Sequence, residues 1–145
     1  MVLELKKVTP VELRTLGLDE KWLQDHIKDD PSLLGLGDLE IAGREHRQPA
    51  GGRIDFLMRD AEAETYYEVE IMLGALDETH IIRTIEYWDI ERQRRPQFEH
   101  RAVIVAEDIT ARFFKCSASD ESCCPDHRRE AKRVSYWRRC RVAFC

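Results

Sequence analysis

The sequence predicts an α/β domain in which a mixed sheet of four to five strands is flanked by helices, in the order αβββαβ. Two neighbouring runs, 52–58 and 66–74, have the length and composition of strands and are joined by a short acidic turn. A clear helix and then a β-branched strand follow them, an order that allows a parallel crossover. With 145 residues, of which 43% are hydrophobic, the chain is long enough for one domain with its own core.

The elements before the two central runs are shorter. A helix-start pattern begins at Thr9, and a second helix is expected over 18–28 with Asp19 as its N-cap. Leu23 and Ile27 are four residues apart and give this second helix one apolar face.

The three strands of the first half are expected to form an antiparallel meander. A first strand of alternating polarity is expected over 39–42, and a polar link over 44–48 leads to a Gly-rich bend before the central strands. The acidic residues 60–64 are typical of a hairpin loop between the two central strands.

The clearest helix is expected over 77–95. Negative charge at its start and arginines at its end suit the helix dipole, and Pro96 ends it. Four apolar residues at helical spacing are expected to form its buried stripe: Ile81, Ile82, Ile85 and Trp88. A strand over 101–106 and a further helix over 107–114 are expected to follow.

The composition changes after residue 114 and divides the chain into a domain over 1–114 and a tail over 115–145. The tail holds eight Lys/Arg and four Asp/Glu, a net charge of +4, so the domain carries −9 and the whole chain −5. The tail also holds all five cysteines. Their spacing does not fit a zinc site, and their odd number in an intracellular context does not fit a disulfide framework.

Two interpretations of the tail stay open. In the first, 115–145 is an out-of-frame translation that replaces the last strand and helix, since a one-nucleotide shift over 124–127 permits an apolar strand there. In the second, the tail is authentic, and its arginines, with Tyr136 and Trp137 among them, contact nucleic acid. The nucleotide sequence decides between the two.

The sequence also bears on location and assembly. No apolar run approaches the roughly 20 residues that a membrane span needs. The first residues lack the zones of a signal peptide. We therefore expect no membrane partner and a cytoplasmic location, while a homo-oligomer is left open.

Three carboxylates lie inside the two apolar runs, where an unpaired charge is costly. Strand alternation places Glu68 and Glu70 on one face, and Asp55 meets Glu70 if the two strands are neighbours. Two such carboxylates and a backbone carbonyl form an oxygen site suited to Mg²⁺ or Mn²⁺. In the alternative, Asp55 only pairs with Arg53 or Arg83, and both glutamates point to solvent.

Across about 18–114 the chain resembles the PD-(D/E)XK nuclease superfamily, which has the restriction-endonuclease-like fold. The resemblance rests on Gly-Gly-Arg-Ile-Asp-Phe-Leu around Asp55, on Val-Glu-Ile-Met-Leu-Gly around Glu70, and on the helix that follows. It implies that Asp55 and Glu70 bind a divalent metal ion. It also implies an assisting acidic residue on the first helix, with Glu20 as the nearest match and Glu12 as a weaker one.

The chain departs from the family pattern at Met72, which stands where the family has a lysine that positions or activates water. No lysine occurs anywhere between residues 28 and 115. Two replacements are open: Glu68-Val69-Glu70 as a Glu-x-Glu variant, or Arg83 as a cation that stabilises the transition state, although arginine is too basic to accept a proton. His80 could accept one, or it is simply a solvent-exposed residue at a helix start.

These observations leave three functions open, two of them stronger. The first is a metal-dependent nuclease that acts on DNA or RNA, in which Asp55 and Glu70 hold Mg²⁺ or Mn²⁺ and Glu68 or Glu20 assists. The second is a nuclease-like domain that has lost catalysis at Met72 and serves as a binding or scaffold module. The third, weaker one is a purely structural α/β protein. The sequence does not decide whether this copy is still an enzyme.

Overall fold

The computed structural model describes residues 11–48, 51–109 and 141–144. Two short 3₁₀ helices, Leu13–Leu16 and Pro31–Leu34, precede the sheet. The two α-helices are α1 (Glu20–Asp29) and α2 (Glu78–Arg94). The strands are β1 (Glu40–Arg47), β2 (Arg53–Asp60), β3 (Thr65–Ile71), β4 (Glu99–Ala106) and β5 (Arg141–Phe144).

One sheet contains the five described strands in the order β1-β2-β3-β4-β5. β1, β2 and β3 are antiparallel neighbours, and α2 connects β3 to its parallel neighbour β4. The mixed sheet, the meander and the parallel crossover expected from the sequence are therefore confirmed. The N-cap of α1 is as expected, because Asp19 accepts a backbone N–H from the first turn, and Asp77 caps α2 in the same way.

The last described strand comes from the segment assigned to the tail. β5 pairs antiparallel with β4, with Val103 opposite Phe144 and Ala106 opposite Arg141. These four residues thus occupy the edge position where the sequence indicated a missing strand. The reading-frame interpretation of 115–145 stays a prediction, and most of that segment lies outside the described residues.

Two element boundaries differ from the expectation. β1 continues to Arg47 rather than ending at residue 42, because its backbone pairs with β2 as far as Arg53. Polar residues are accommodated here because β1 lies at the edge of the sheet of described strands and its side chains are exposed or half-buried. Residues 107–109 are not helical, and the rest of the helix expected there lies outside the described residues.

The two faces of the sheet differ in chemistry. The α1 face carries the main apolar core, in which Leu23 and Ile27 of α1 pack with Phe56, Val69 and Val103 of the strands. The α2 face carries buried polar groups instead. Its inward side chains include Asp55, Leu57, Glu68, Glu70, His100 and Ala102, which strand pairing places on one side.

The predicted buried stripe of α2 is wrong for two of its residues. Ile82 and Ile85 are 56% and 48% exposed, and the buried residues of the helix are Thr84, Tyr87 and Glu91. The physical reason lies in the sheet. Because its α2 face is polar, the helix side that matches it is polar as well, and a search for apolar periodicity selects the wrong side.

The described part of the chain contains two α-helices and two short 3₁₀ helices. None of them combines the length and the apolar character that a membrane crossing requires.

Candidate active site at the ends of β2 and β3

Asp55 and Glu70 lie opposite each other where β2 begins and β3 ends. The pairing of Phe56 with Val69 sets this register, and the Asp55 backbone N–H donates to Glu70 Oε1 at 3.3 Å. Asp55 Oδ2 accepts the backbone N–H of Ile71 at 2.8 Å. The structure therefore brings together the two carboxylates that the sequence nominated as metal ligands.

Helix α1 contributes two side chains to the same place. Glu20 Oε1 accepts the backbone N–H of Leu73 at 3.2 Å, and Gln24 Nε2 donates to Asp55 Oδ1 at 3.1 Å. Residues four apart share a helix face, which explains why both reach the end of the sheet. Sequence reasoning nominated Glu20 but missed Gln24, although the spacing between them was a usable signal. Glu12, the weaker nominee, precedes the first 3₁₀ helix.

Helix α2 supplies the positive charge. Arg83 Nη2 lies 3.6 Å from Glu70 Oε2, and Arg83 Nε donates to the Tyr87 hydroxyl at 3.4 Å. Glu70 is only 3% exposed, so it does not point to solvent. Arg53 is engaged elsewhere, since its guanidinium contacts Glu45 at 3.3 Å. In the described part of the chain, Arg83 thus pairs with Glu70 and not with Asp55, and the alternative in which Asp55 pairs with Arg53 or Arg83 is not found.

The acid pair holds protons more tightly than ordinary carboxyl groups. The pKa of Glu70 is raised to about 8, chiefly by burial and also by the nearby charge of Asp55, while Arg83 opposes the rise. Burial likewise raises the pKa of Asp55, with the Ile71 N–H opposing and the charge of Glu20 adding to the rise. Two carboxyl groups in this position would be stabilised in their ionised form by a bound cation.

Met72 does not take part in the acid group. Its side chain is 6% exposed and packs with Leu76, Ala106 and Ile109, and its backbone N–H donates to Val105 at 2.9 Å. An apolar cluster thus surrounds Met72, the residue that the sequence resemblance places at the lysine position of the PD-(D/E)XK pattern.

Glu68 lies on the same face as Glu70 but makes different contacts. Its Oε1 is 2.7 Å from His100 Nδ1, while His100 Nε2 is 3.0 Å from the carbonyl oxygen of Arg95. Glu68 Oε2 is buried and has no hydrogen-bond partner among the described residues. Burial raises the pKa of Glu68 to about 7, and His100 opposes this rise. The structure therefore places Glu68 in a second polar group rather than beside Asp55.

Glu91, a buried acid that sequence reasoning missed, completes the second polar group, which consists of Glu68, His100 and Glu91. Glu91 of α2 accepts Gln48 Nε2 at 2.9 Å and Arg94 Nη1 at 3.0 Å, and it also contacts Arg95 and His46. Burial opposes its ionisation, but these donors hold the pKa of Glu91 below its usual range. Arg94 and Arg95 belong to the C-terminal end of α2, whereas His46 comes from β1 and Gln48 from the loop after it, so Glu91 attaches the helix to the sheet through His46 and Gln48.

The donor set at the acid pair fits a small divalent cation. No group of three or more His, Cys, Asp or Glu side chains within the described ranges is placed to hold a metal ion. Asp55 and Glu70 nevertheless supply hard oxygen ligands, and each carboxylate oxygen that accepts one N–H retains a second lone pair. The Ile71 carbonyl adds a third oxygen on this side, because the N–H and C=O of a strand residue point the same way. Mg²⁺ typically uses one or two carboxylates and keeps several waters.

The element order and sheet topology define the class first: this is an α/β domain with a restriction-endonuclease-like fold. No protein-family model and no curated protein matches the sequence. Among solved structures, that of the EndoMS–dsDNA2 complex is similar, with a TM-score of 0.60 at 16% sequence identity. The match covers 80% of this chain and 46% of that chain, and at this identity it establishes the fold alone.

Proposed function

We propose that this domain is a metal-dependent phosphodiester hydrolase that acts on DNA or RNA. One observation carries the proposal: Asp55 and Glu70 meet at adjoining strand ends, with the Arg83 guanidinium 3.6 Å from Glu70. Paired carboxylates beside a cation are the groups that phosphodiester hydrolysis uses to hold a metal ion and to stabilise a charged transition state. The DNA bound to the structural neighbour supports a nucleic acid as the substrate class.

Each side chain has a separate role in the proposal. Asp55 and Glu70 would hold Mg²⁺ or Mn²⁺, which would supply charge neutralisation at the phosphate and a bound water of lowered pKa. Gln24 fixes the orientation of Asp55 through its 3.1 Å hydrogen bond. Glu20 fixes the start of the loop after β3 through the Leu73 N–H. Arg83 would contact phosphate oxygens, since a guanidinium offers several donors in one plane.

Metal binding is the first test of this proposal. Isothermal titration of the full chain with Mn²⁺ is expected to show binding, and Asp55→Asn is expected to weaken the affinity at least about tenfold. Asp89→Asn is the matched control, because Asp89 lies on α2 and contacts Arg92 rather than the acid pair. The absence of heat with the wild-type chain would remove the hydrolase proposal.

Cleavage is the second readout of the same proposal. Plasmid, single-stranded DNA and RNA are incubated with Mg²⁺ or Mn²⁺, and cleavage of at least one of them is expected. Asp55→Asn and Glu70→Gln should each lower the rate by about 100-fold or more. Cleavage that persists in both variants would mean that the acid pair is not the site.

A second candidate function is a nucleic-acid-binding module without catalysis. The observation that favours it is Met72, whose burial in an apolar cluster removes the water-handling group of the family motif. This candidate predicts DNA binding that is insensitive to EDTA and to Asp55→Asn, together with no cleavage. The titration and cleavage experiments above therefore separate the two candidates.

A further inference from the structure

The proposed hydrolase lacks an evident group to accept a proton from water. Met72 has no ionisable group, and Arg83 keeps its proton at any relevant pH. Asp55 and Glu70 are assigned to the metal ion. A base must therefore come from another side chain at this end of the sheet.

His80, in the first turn of α2, is bound in a way that fixes its tautomer. Its Nδ1 lies 2.9 Å from Asp77 Oδ1, and the same oxygen accepts the backbone N–H of His80 at 2.9 Å. These donors hold the pKa of Asp77 below its usual range. An ionised carboxylate only accepts hydrogen bonds, so Nδ1 carries the proton and Nε2 of the neutral ring has a free lone pair.

His80 also lies on the side of α2 that faces the acid pair. Arg83, three residues later, contacts Glu70, and Thr84, four residues later, is buried against the sheet. Residues at these spacings share one helix face. The imidazole lies near enough to Asp55 to interact with it electrostatically when protonated, and 25% of the side chain remains open to solvent. A water molecule can therefore reach the ring beside the acid pair.

Charged groups from several elements lie around His80. Asp77, the N-cap of its own helix, contacts Nδ1 of the ring, and Asp55 of β2 interacts electrostatically with the imidazole, with Glu20 of α1 adding negative charge beside Asp55. Arg83 is paired with Glu70 of β3. The arrangement matches a carboxylate–histidine pair in which the carboxylate orients the ring.

We propose that His80 is the general base of this site and that Asp77 is its positioning residue. His80 Nε2 takes a proton from water while the water oxygen forms a bond to phosphorus. The bond from phosphorus to the leaving sugar oxygen breaks, its electron pair stays on that oxygen, and the oxygen takes a proton from solvent. His80 then returns its proton to solvent. This inference rests on the proposed hydrolase function.

Chemical rescue tests the role of His80 directly. In single-turnover cleavage by the full chain, His80→Ala is expected to lower the rate about 100-fold. Added imidazole is expected to raise the rate of this variant at least about tenfold. His26→Ala is the control histidine, since its ring contacts the Trp22 carbonyl on α1, and it should cleave at the wild-type rate. Asp55→Ala should not respond to imidazole.

Asp77→Asn separates positioning from helix capping. Asparagine is as good an N-cap as aspartate, so the thermal midpoint should stay within a few degrees while kcat falls and KM does not change. An equal loss of stability and activity would instead indicate that Asp77 acts only as a cap.

Each outcome bears on one proposal or the other. Wild-type cleavage that depends on Asp55 but is unchanged in His80→Ala, or is not restored by imidazole, overturns the His80 inference alone. No cleavage by the wild-type chain overturns the hydrolase proposal and the inference with it. If His80→Ala does not fold, His80→Gln replaces it, and a folded glutamine variant with wild-type rate overturns the inference.

Discussion

At the scale of single residues, the chain buries acids in two separate settings. Glu70 and Asp55 share one position, where burial raises the pKa of both and the charge of Asp55 adds to the rise at Glu70, while Glu68 is held by one histidine. The two settings have different chemical consequences. The first gains stability from a cation, and the second loses stability when its proton is removed.

The raised pKa of Glu68 predicts that the free energy of unfolding depends on pH. Its pKa is about 7 in the folded chain, against an ordinary value of 4.5. Because the folded value is raised, the stabilisation is complete below the unfolded pKa and is lost as pH rises through the folded pKa. Glu68→Gln should consequently be more favourable relative to the wild type at pH 8 than at pH 5. Urea unfolding of both chains at the two pH values measures this difference.

Comparison of the two chains at each pH cancels the titrations that they share. An effect of Glu68→Gln on the free energy of unfolding that is equal at pH 5 and pH 8 would contradict the assignment. Cleavage is a second readout. It should persist in Glu68→Gln, because a carboxylate bonded to His100 is not needed to hold a metal ion at Asp55. Loss of Mn²⁺ binding in this variant would add Glu68 to the proposed metal ligands, Asp55 and Glu70.

At the scale of elements, the contact between α2 and the start of β2 depends on one glycine. Gly52 has a φ of +85°, and a Cβ atom there would overlap the hydroxyl of Tyr87, which is buried. Tyr87 also accepts the Arg83 Nε–H, so this close approach sets the distance between the β1–β2 turn and the residue that contacts Glu70.

Gly52→Ala is therefore expected to destabilise the fold by about 2 kcal/mol or more, from backbone strain and steric overlap together. Gly51→Ala is a matched control, because Gly51 has a φ of +92° but a Cβ atom there would meet no other atom within 4 Å. The control should show the strain alone. Equal losses in the two variants, measured by denaturant unfolding, would mean that Tyr87 does not limit this turn.

The sequence predicted α1 and the strands of the meander because their apolar residues face an apolar core. It also predicted that Asp55 and Glu70 meet, since strand alternation and neighbouring strands were enough for that step. It did not reveal Gln24, Tyr87 or Glu91, whose roles depend on contacts between distant elements. Ile82 and Ile85, which are exposed, were wrongly assigned to the buried side of α2 because apolar spacing indicates burial only where the opposing surface is apolar.

At the scale of the whole molecule, the two sides of the sheet differ in how they are held. The α1 side buries a continuous apolar cluster, whereas α2 is attached largely through hydrogen bonds and ion pairs. Apolar burial is the larger stabilising term in folding. We therefore expect α2 to open before the central strands do.

Native-state hydrogen exchange measures this difference. Amides of α2 should exchange through a partial opening with a lower free energy than amides of β2 and β3, which should require global unfolding. The gap should widen when the second polar group is weakened, as in Glu91→Gln, because that group attaches the helix to the sheet. Exchange of α2 and β3 amides with one common free energy would show that the helix and sheet unfold as a single unit.

The unequal faces of the sheet also determine which substitutions the chain can accept. On the α1 side, one aliphatic residue can replace another of similar volume, because the neighbours require only shape. On the α2 side, Glu91 serves Gln48 and two arginines at once, so altering one member leaves its partners unsatisfied. A substitution of one residue in this group is therefore expected to be accepted only when its hydrogen-bond partners are substituted as well.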